Sequence, residues 1–279
     1  MTILQPKMSR LKLAKLGVTR KRYAIESFSP FSIRVNGLYS DPKQINCFEQ
    51  AFGPVNTIPS FAFIAAFPVL TQCLLQSNIP SRLMGLIHIS TEFISHQDPN
   101  WLLPSDIEVE ISDMSQTPKG LLYRIETRIY QQARLTVTNI NTMLDKNRRY
   151  KSQREIGDNR EELELGKAIC SIAINTSTAI KYAKLSRDFN PIHLHPWLAK
   201  KFGLPKSLIH GMFNVHYLLS RLLSNSRLEG NKICVEFNRP CYLPNRVFIK
   251  QFGDRPEYGL FSRDNTERYL KASLEQAKE

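Results

Sequence analysis

No stretch of this chain approaches the ~20 consecutive apolar residues that a membrane-spanning helix needs. The longest candidate, residues 61–75, is interrupted by Pro68 and by Thr71-Gln72, and reads as a buried core helix instead. The chain has no CxxC pair, and its five cysteines (Cys47, Cys73, Cys170, Cys234, Cys241) are an odd number. That argues against a disulfide framework and a structural zinc site, and fits a reducing cytoplasm, or an organelle if the source is eukaryotic. Acidic residues are absent from the first 22 positions, where Lys7, Arg10, Lys12, Lys15, Arg20, Lys21 and Arg22 gather. No apolar core of a secretory signal accompanies them, so residues 1–22 read as a flexible basic tail.

What remains is an ordinary globular composition, 42% hydrophobic and 23% charged over 279 residues, with a net charge of +13. That length suffices for two domains. An excess of positive charge suits three things: nucleic acid, a polyanionic small molecule such as coenzyme A or an acidic carrier protein, or solubility alone. No recognition helix with interleaved basic and aromatic residues is present, which argues against nucleic acid.

A second basic cluster, Arg148, Arg149, Lys151 and Arg154, is followed by Asp158, Glu161, Glu162 and Glu164, and reads as a solvated linker over residues 146–166. On either side the same order of elements recurs. A helix-like run (residues 60–76 and 207–224) precedes a β-like segment ending in Glu-Phe (Glu92-Phe93 and Glu236-Phe237). Then comes Leu103-Pro104-Ser105-Asp106-Ile107 in one half and Leu243-Pro244-Asn245-Arg246-Val247 in the other. Both runs are apolar on most faces, as buried helices are. Further segments, such as Ile107-Glu108-Val109-Glu110-Ile111, alternate apolar and polar residues like strands with one wet face. The pattern predicts an α+β chain made of two repeats, 23–145 and 167–279, each an antiparallel sheet wrapped around one long helix.

The residues with chemistry lie between Tyr182 and His216. Pro191 disfavours helix at Asn190, so the preceding helix ends near Asp188 and the chain turns. The turn presents Asp188 and His193 together, an acid and an imidazole able to share a water and pass a proton. Read singly, each residue is a cap, a turn former or a surface group. His193 and His195 could ligate a metal, but no third ligand stands at a usual spacing, and no metal is expected. Gly211 opens the apolar helix after His210. A helix's first N–H groups have no internal partner, and without a Cβ a substrate oxygen can come close to them. Alternatively Gly211 only allows tight packing, and His210 only caps. His88, His96 and His216 show no chemistry at this level.

The pattern Y-x-x-x-S-x-D-F-N-P-I-H from Tyr182, then A-x-x-F-G, I-H-G-M and the F-N-R-P of Phe237–Pro240, resembles the MaoC-like dehydratase, or (R)-specific enoyl-CoA hydratase, family. The resemblance implies a double hot-dog fold with a degenerate first repeat, which has no D-x-N-P-x-H. It implies reversible hydration of trans-2-enoyl thioesters to (R)-3-hydroxyacyl thioesters. Asp188 and His193 would handle the water, the Gly211 N–H would hold the thioester oxygen, and Asn190, Ser186 and His210 would support them. Coenzyme A or acyl carrier protein would arrive with the substrate, with no other cofactor, in a monomer or homodimer. A non-catalytic acyl-thioester binder and a thioesterase are the alternatives. The family usually has S-G-D where this chain has Ser186-Arg187-Asp188. Arg187 must then accept the backbone shape of a glycine, or turn to solvent, where with Lys206 it could meet a coenzyme A phosphate.

Overall fold

The alternating segments of the sequence pair into one antiparallel sheet. The computed structural model describes residues 28–146, 166–223, 230–252 and 256–276. The basic tail 1–22 lies outside the described residues, as does nearly all of the 146–166 linker. In the first half, β1 (Phe31–Leu38) leads through α1 (Pro42–Phe52) and α2 (Phe61–Gln76) to β2 (Leu86–Ser95), β3 (Ser105–Thr117), β4 (Gly120–Gln131) and β5 (Arg134–Lys146). In the second, β6 (Lys167–Ile174) leads through α3 (Thr176–Ser186), the short α4 (Pro191–Leu194) and α5 (Pro196–Lys201), and α6 (Gly211–Leu222). Then follow β7 (Asn231–Phe237), β8 (Asn245–Gln251), β9 (Glu257–Phe261) and β10 (Arg268–Gln276).

The strand order is β1-β3-β4-β5-β2-β7-β10-β9-β8-β6. Read outward from its middle, each half has the same sequence of strands, so the halves repeat in topology as well as in motif. Leu103-Pro104 and Leu243-Pro244 stand at the same place in each, immediately before β3 and β8. The sequence predicts two sheets; the structure corrects this to one. β2 and β7 pair antiparallel, from Ser90 opposite Glu236 to Ile94 opposite Lys232, and so neither presents an open edge.

Helix boundaries follow local chemistry. Asp41 caps α1 by accepting the Lys43 N–H, with Pro42 in the first turn, where a missing N–H costs nothing. Asn175 and Thr178 form a reciprocal capping box on α3. The α2 helix is buried along most of its length despite Pro68, and it lies against β1, β3, β4 and β5. Along α6, every residue from Met212 to Ser220 is buried. The halves also meet through their helices. Phe213 and His216 of α6 pack on Phe52 of α1, and Ser60 Oγ lies 2.6 Å from His216 Nδ1.

The start of α2 corresponds to the start of α6, yet the two ends differ. Where α6 begins with Gly211, α2 begins with Phe61, fully buried between Phe48 and Trp101 at ring separations of 5.0 Å. The connection before α2, residues 53–60, has no counterpart of the Asp188–His193 turn. Aromatic packing thus occupies the first repeat where the second has its motif.

Candidate active site

The α3 helix ends at Ser186, and Arg187 adopts the left-handed conformation, φ 64° and ψ 11°. This reverses the chain and starts the turn. Ser186 Oγ donates to the Tyr182 carbonyl and accepts the Asp188 N–H at 3.3 Å. Asp188 Oδ1 accepts the Asn190 N–H at 3.1 Å, and Asn190 Oδ1 in turn accepts the Ile192 N–H, capping α4. Pro191 supplies the first residue of that helix, and His193 lies on it, buried. The supporting roles expected of Ser186 and Asn190 are therefore backbone hydrogen bonds that fix the turn.

Two further bonds tie the turn to α6. His193 Nδ1 lies 2.9 Å from the Leu208 carbonyl, so Nδ1 carries the proton and Nε2 keeps a lone pair. His210 Nε2 lies 3.0 Å from the Asp188 carbonyl, to which it donates. The His193 and His210 rings stack with centroids 3.7 Å apart. Asp188, His193 and His210 each bring one ligand atom to a common point, all within 4.8 Å of one another. That spacing suits one shared water, and it is also the trio among the described residues placed to hold a cation. The pair considered from sequence does not converge: His195 is exposed, and its Nδ1 accepts the Trp197 N–H as the cap of α5.

Burial decides the charge of these histidines. The Asp188 charge and the Leu208 bond favour protonated His193, but desolvation is the larger effect and lowers its pKa. His210 is held well below the usual range by burial and by the neighbouring His193. Tyr182, whose ring lies 4.9 Å from that of His210, is pushed well above its ordinary value by burial and then by the Asp188 charge. Its hydroxyl, His210 Nδ1, Ser207 Oγ and Asn214 Oδ1 are buried with no hydrogen-bond partner. Tyr182 and His210 thus each bring an unpaired polar atom to the cluster.

Gly211 begins α6 directly after His210, and its N–H meets no acceptor among the described residues. A Cβ at this position would stand 2.9 Å from Phe237 Cε1. A larger residue there would have to displace the Phe237 ring, so glycine suits the packing of that ring against the helix start. The Arg187 guanidinium turns outward and meets Asp41 Oδ2 at 3.1 Å, and Lys206 is exposed.

Residues 161–250, which contain this turn and the start of α6, match the family model described as MaoC like domain. The match lies within the second half of the chain and covers the whole of the turn and the start of α6. The 3-hydroxyacyl-thioester dehydratase X of Mycobacterium tuberculosis is 23% identical over 216 residues, covering 76% of this chain and 77% of that protein. The crystal structure of HtdX from the same organism superposes with a TM-score of 0.75 at 20% identity, over 87% of this chain and 98% of that one. A further M. tuberculosis protein, described as having a double hotdog fold, superposes with a TM-score of 0.54 at 12% identity, over 92% of this chain and 97% of that one. The fold is the double hot-dog, and the MaoC-like match falls in its second repeat.

Sequence reasoning placed Asp188, His193, Asn190, Ser186, His210 and Gly211 together, and the structure brings them together. It passed over Tyr182 as a site residue, although Tyr182 stands in the motif itself. It also set His88 aside; one of its ring neighbours, Phe237, comes from the other repeat, which no local pattern reveals.

Two predictions concern stability. Left-handed geometry at Arg187 costs about 1 kcal/mol, and an exposed ion pair such as Arg187–Asp41 contributes about 0–1 kcal/mol. Arg187→Gly should therefore keep or raise the melting temperature; a marked fall would show that the ion pair dominates. The second concerns acid. Burial lowers His88 to about 4 and His216 to about 3, and lowers His193 and His210 as well. A histidine held neutral in the folded state stabilises fully above its unfolded pKa near 6.5, and that stability is lost as pH falls toward the folded value. Melting experiments from pH 8 to pH 5 should show a loss on the order of 2 kcal/mol by pH 5 from each of His88 and His216, with His193 and His210 adding in the same direction. A flat profile would contradict the neutral assignments.

Proposed function

We propose that the Asp188–His193 turn adds water to trans-2-enoyl thioesters and removes it from (R)-3-hydroxyacyl thioesters. One observation carries this reading: an acid and a neutral imidazole with a free Nε2 converge beside a helix start whose first N–H is unpaired. The dehydratase relative and the MaoC-like match support it.

In hydration, water sits between the Asp188 carboxylate and His193 Nε2. Nε2 takes one proton as the oxygen bonds to C3. Charge moves to the thioester oxygen, which the Gly211 N–H stabilises, an interaction worth roughly 3–4 kcal/mol for one well-placed donor. The proton then passes to C2 from the same face, and dehydration runs the steps in reverse. His210 acts through geometry, since its bond to the Asp188 carbonyl holds the turn against α6. Coenzyme A or acyl carrier protein enters as part of the substrate. Arg187 would meet a phosphate there only by leaving Asp41, while Lys206 stands exposed.

The scheme uses no metal. The test is hydration of crotonyl-CoA and longer enoyl-CoAs, followed by loss of the enoyl absorbance. Wild type should turn over, and should keep its rate after EDTA treatment. Asp188→Asn should lose about 10²–10⁴-fold in kcat. Full activity in Asp188→Asn would refute the assignment, and loss of activity with EDTA would show that the Asp188, His193 and His210 trio works through a cation.

A further inference from the structure

His88 belongs to the first repeat, yet its ring packs on Phe237, which lies against Gly211 of the second. Its strand β2 pairs with β5, and His88 lies opposite Met143 while Ser90 lies opposite the adjacent Thr142. Ile89 is thus an extra residue, a bulge of the kind that re-aims the side chains beside it. The His88 ring packs 4.7 Å from that of Phe237, the residue that closes on Gly211, and stacks on Phe63 of α2 at 5.9 Å. The Asp188 charge acts on it across the boundary between the repeats. Its Nε2 is sealed from solvent and has no hydrogen-bond partner.

The strand beyond the bulge is rigidly backed. Thr91 Oγ1 donates to Asn141 Oδ1 at 2.9 Å, Asn141 Nδ2 to Asn139 Oδ1 at 2.8 Å, and Asn139 Nδ2 to Thr91 Oγ1 at 2.8 Å. This closed ring of bonds is buried, and the Asn141 side chain and the Ser90 backbone also hydrogen-bond the His88 ring. Both bonds favour a proton on the imidazole while burial keeps the ring neutral, and Nε2, which has no partner, is left as the acceptor. A buried acceptor without a donor costs stability. Such a cost is tolerated where a ligand supplies the missing partner.

We propose that His88 Nε2, from the first repeat, accepts a hydrogen bond from the substrate bound in the second. The donor is an O–H or N–H close to the thioester, which means either the 3-hydroxyl or the nearest amide N–H of the pantetheine arm. The inference rests on the acyl-thioester reading of the site but not on its turnover, and it makes His88 a substrate-positioning residue.

The test is equilibrium binding of (R)-3-hydroxybutyryl-CoA and butyryl-CoA to the full chain, by calorimetry. His88→Phe keeps the ring and removes the acceptor. Weakening of about tenfold for both probes assigns the pantetheine amide; weakening for the hydroxylated probe alone assigns the hydroxyl. His88→Gln, which restores an acceptor, should recover part of the loss. Unchanged binding in His88→Phe, with an equal or higher melting temperature, would overturn the proposal and leave the hydratase reading untouched. Wild type that binds neither probe would sink both. Should the variants fail to fold, the ¹⁵N resonance of His88 Nε2 in wild type decides: it should move on saturation with butyryl-CoA or (R)-3-hydroxybutyryl-CoA, and no movement with either overturns the proposal.

Discussion

The pairing of β2 with β7 is the contact on which the rest of this molecule depends. It joins two five-stranded halves into one sheet, removes two open edges, and buries Phe93 and Ile233 at the junction. It also fixes which side chains of one repeat reach the other. Phe237 ends β7 against Gly211, and His88 sits on β2 against Phe237. The start of α6 in the second repeat is thus linked to the first through the Phe237 ring.

The same duplication shows what each repeat has become. The two helix starts differ: the Phe61, Ala62 and Phe63 N–H groups of α2 bond back to the Ile58, Pro59 and Ser60 carbonyls, while the Gly211 N–H of α6 meets no acceptor among the described residues. In the second repeat that place holds Gly211, a free N–H and a cluster of unpaired polar atoms. In the first it holds Phe61 among Phe48 and Trp101, packing that contributes to the core. One position thus holds core packing in one half and the candidate site in the other.

Much of this was legible in the sequence, for identifiable reasons. The Leu-Pro repeats at Leu103-Pro104 and Leu243-Pro244 mark equivalent strand entrances, and Asn190-Pro191 forces the turn that presents Asp188 and His193. Local rules govern both. The edge strands β1 and β6 were missed, being short and partly exposed, each with a pairing irregularity. The fusion of the two sheets and the contact of His88 with Phe237 were not legible either, because strand order and contacts between repeats depend on tertiary packing. Arg187 looked like a departure that might unseat the motif. The backbone takes the glycine-like shape anyway, and the side chain finds Asp41 in solvent.

The central claim is that this site joins water to carbon rather than cleaving a thioester, and isotopic labelling of the product tests it most directly. In H₂¹⁸O, the wild-type protein should convert crotonyl-CoA to (R)-3-hydroxybutyryl-CoA with the label on the C3 hydroxyl and the thioester intact. Label in a free carboxylate, with release of thiol, would contradict the account and make the chain a thioesterase.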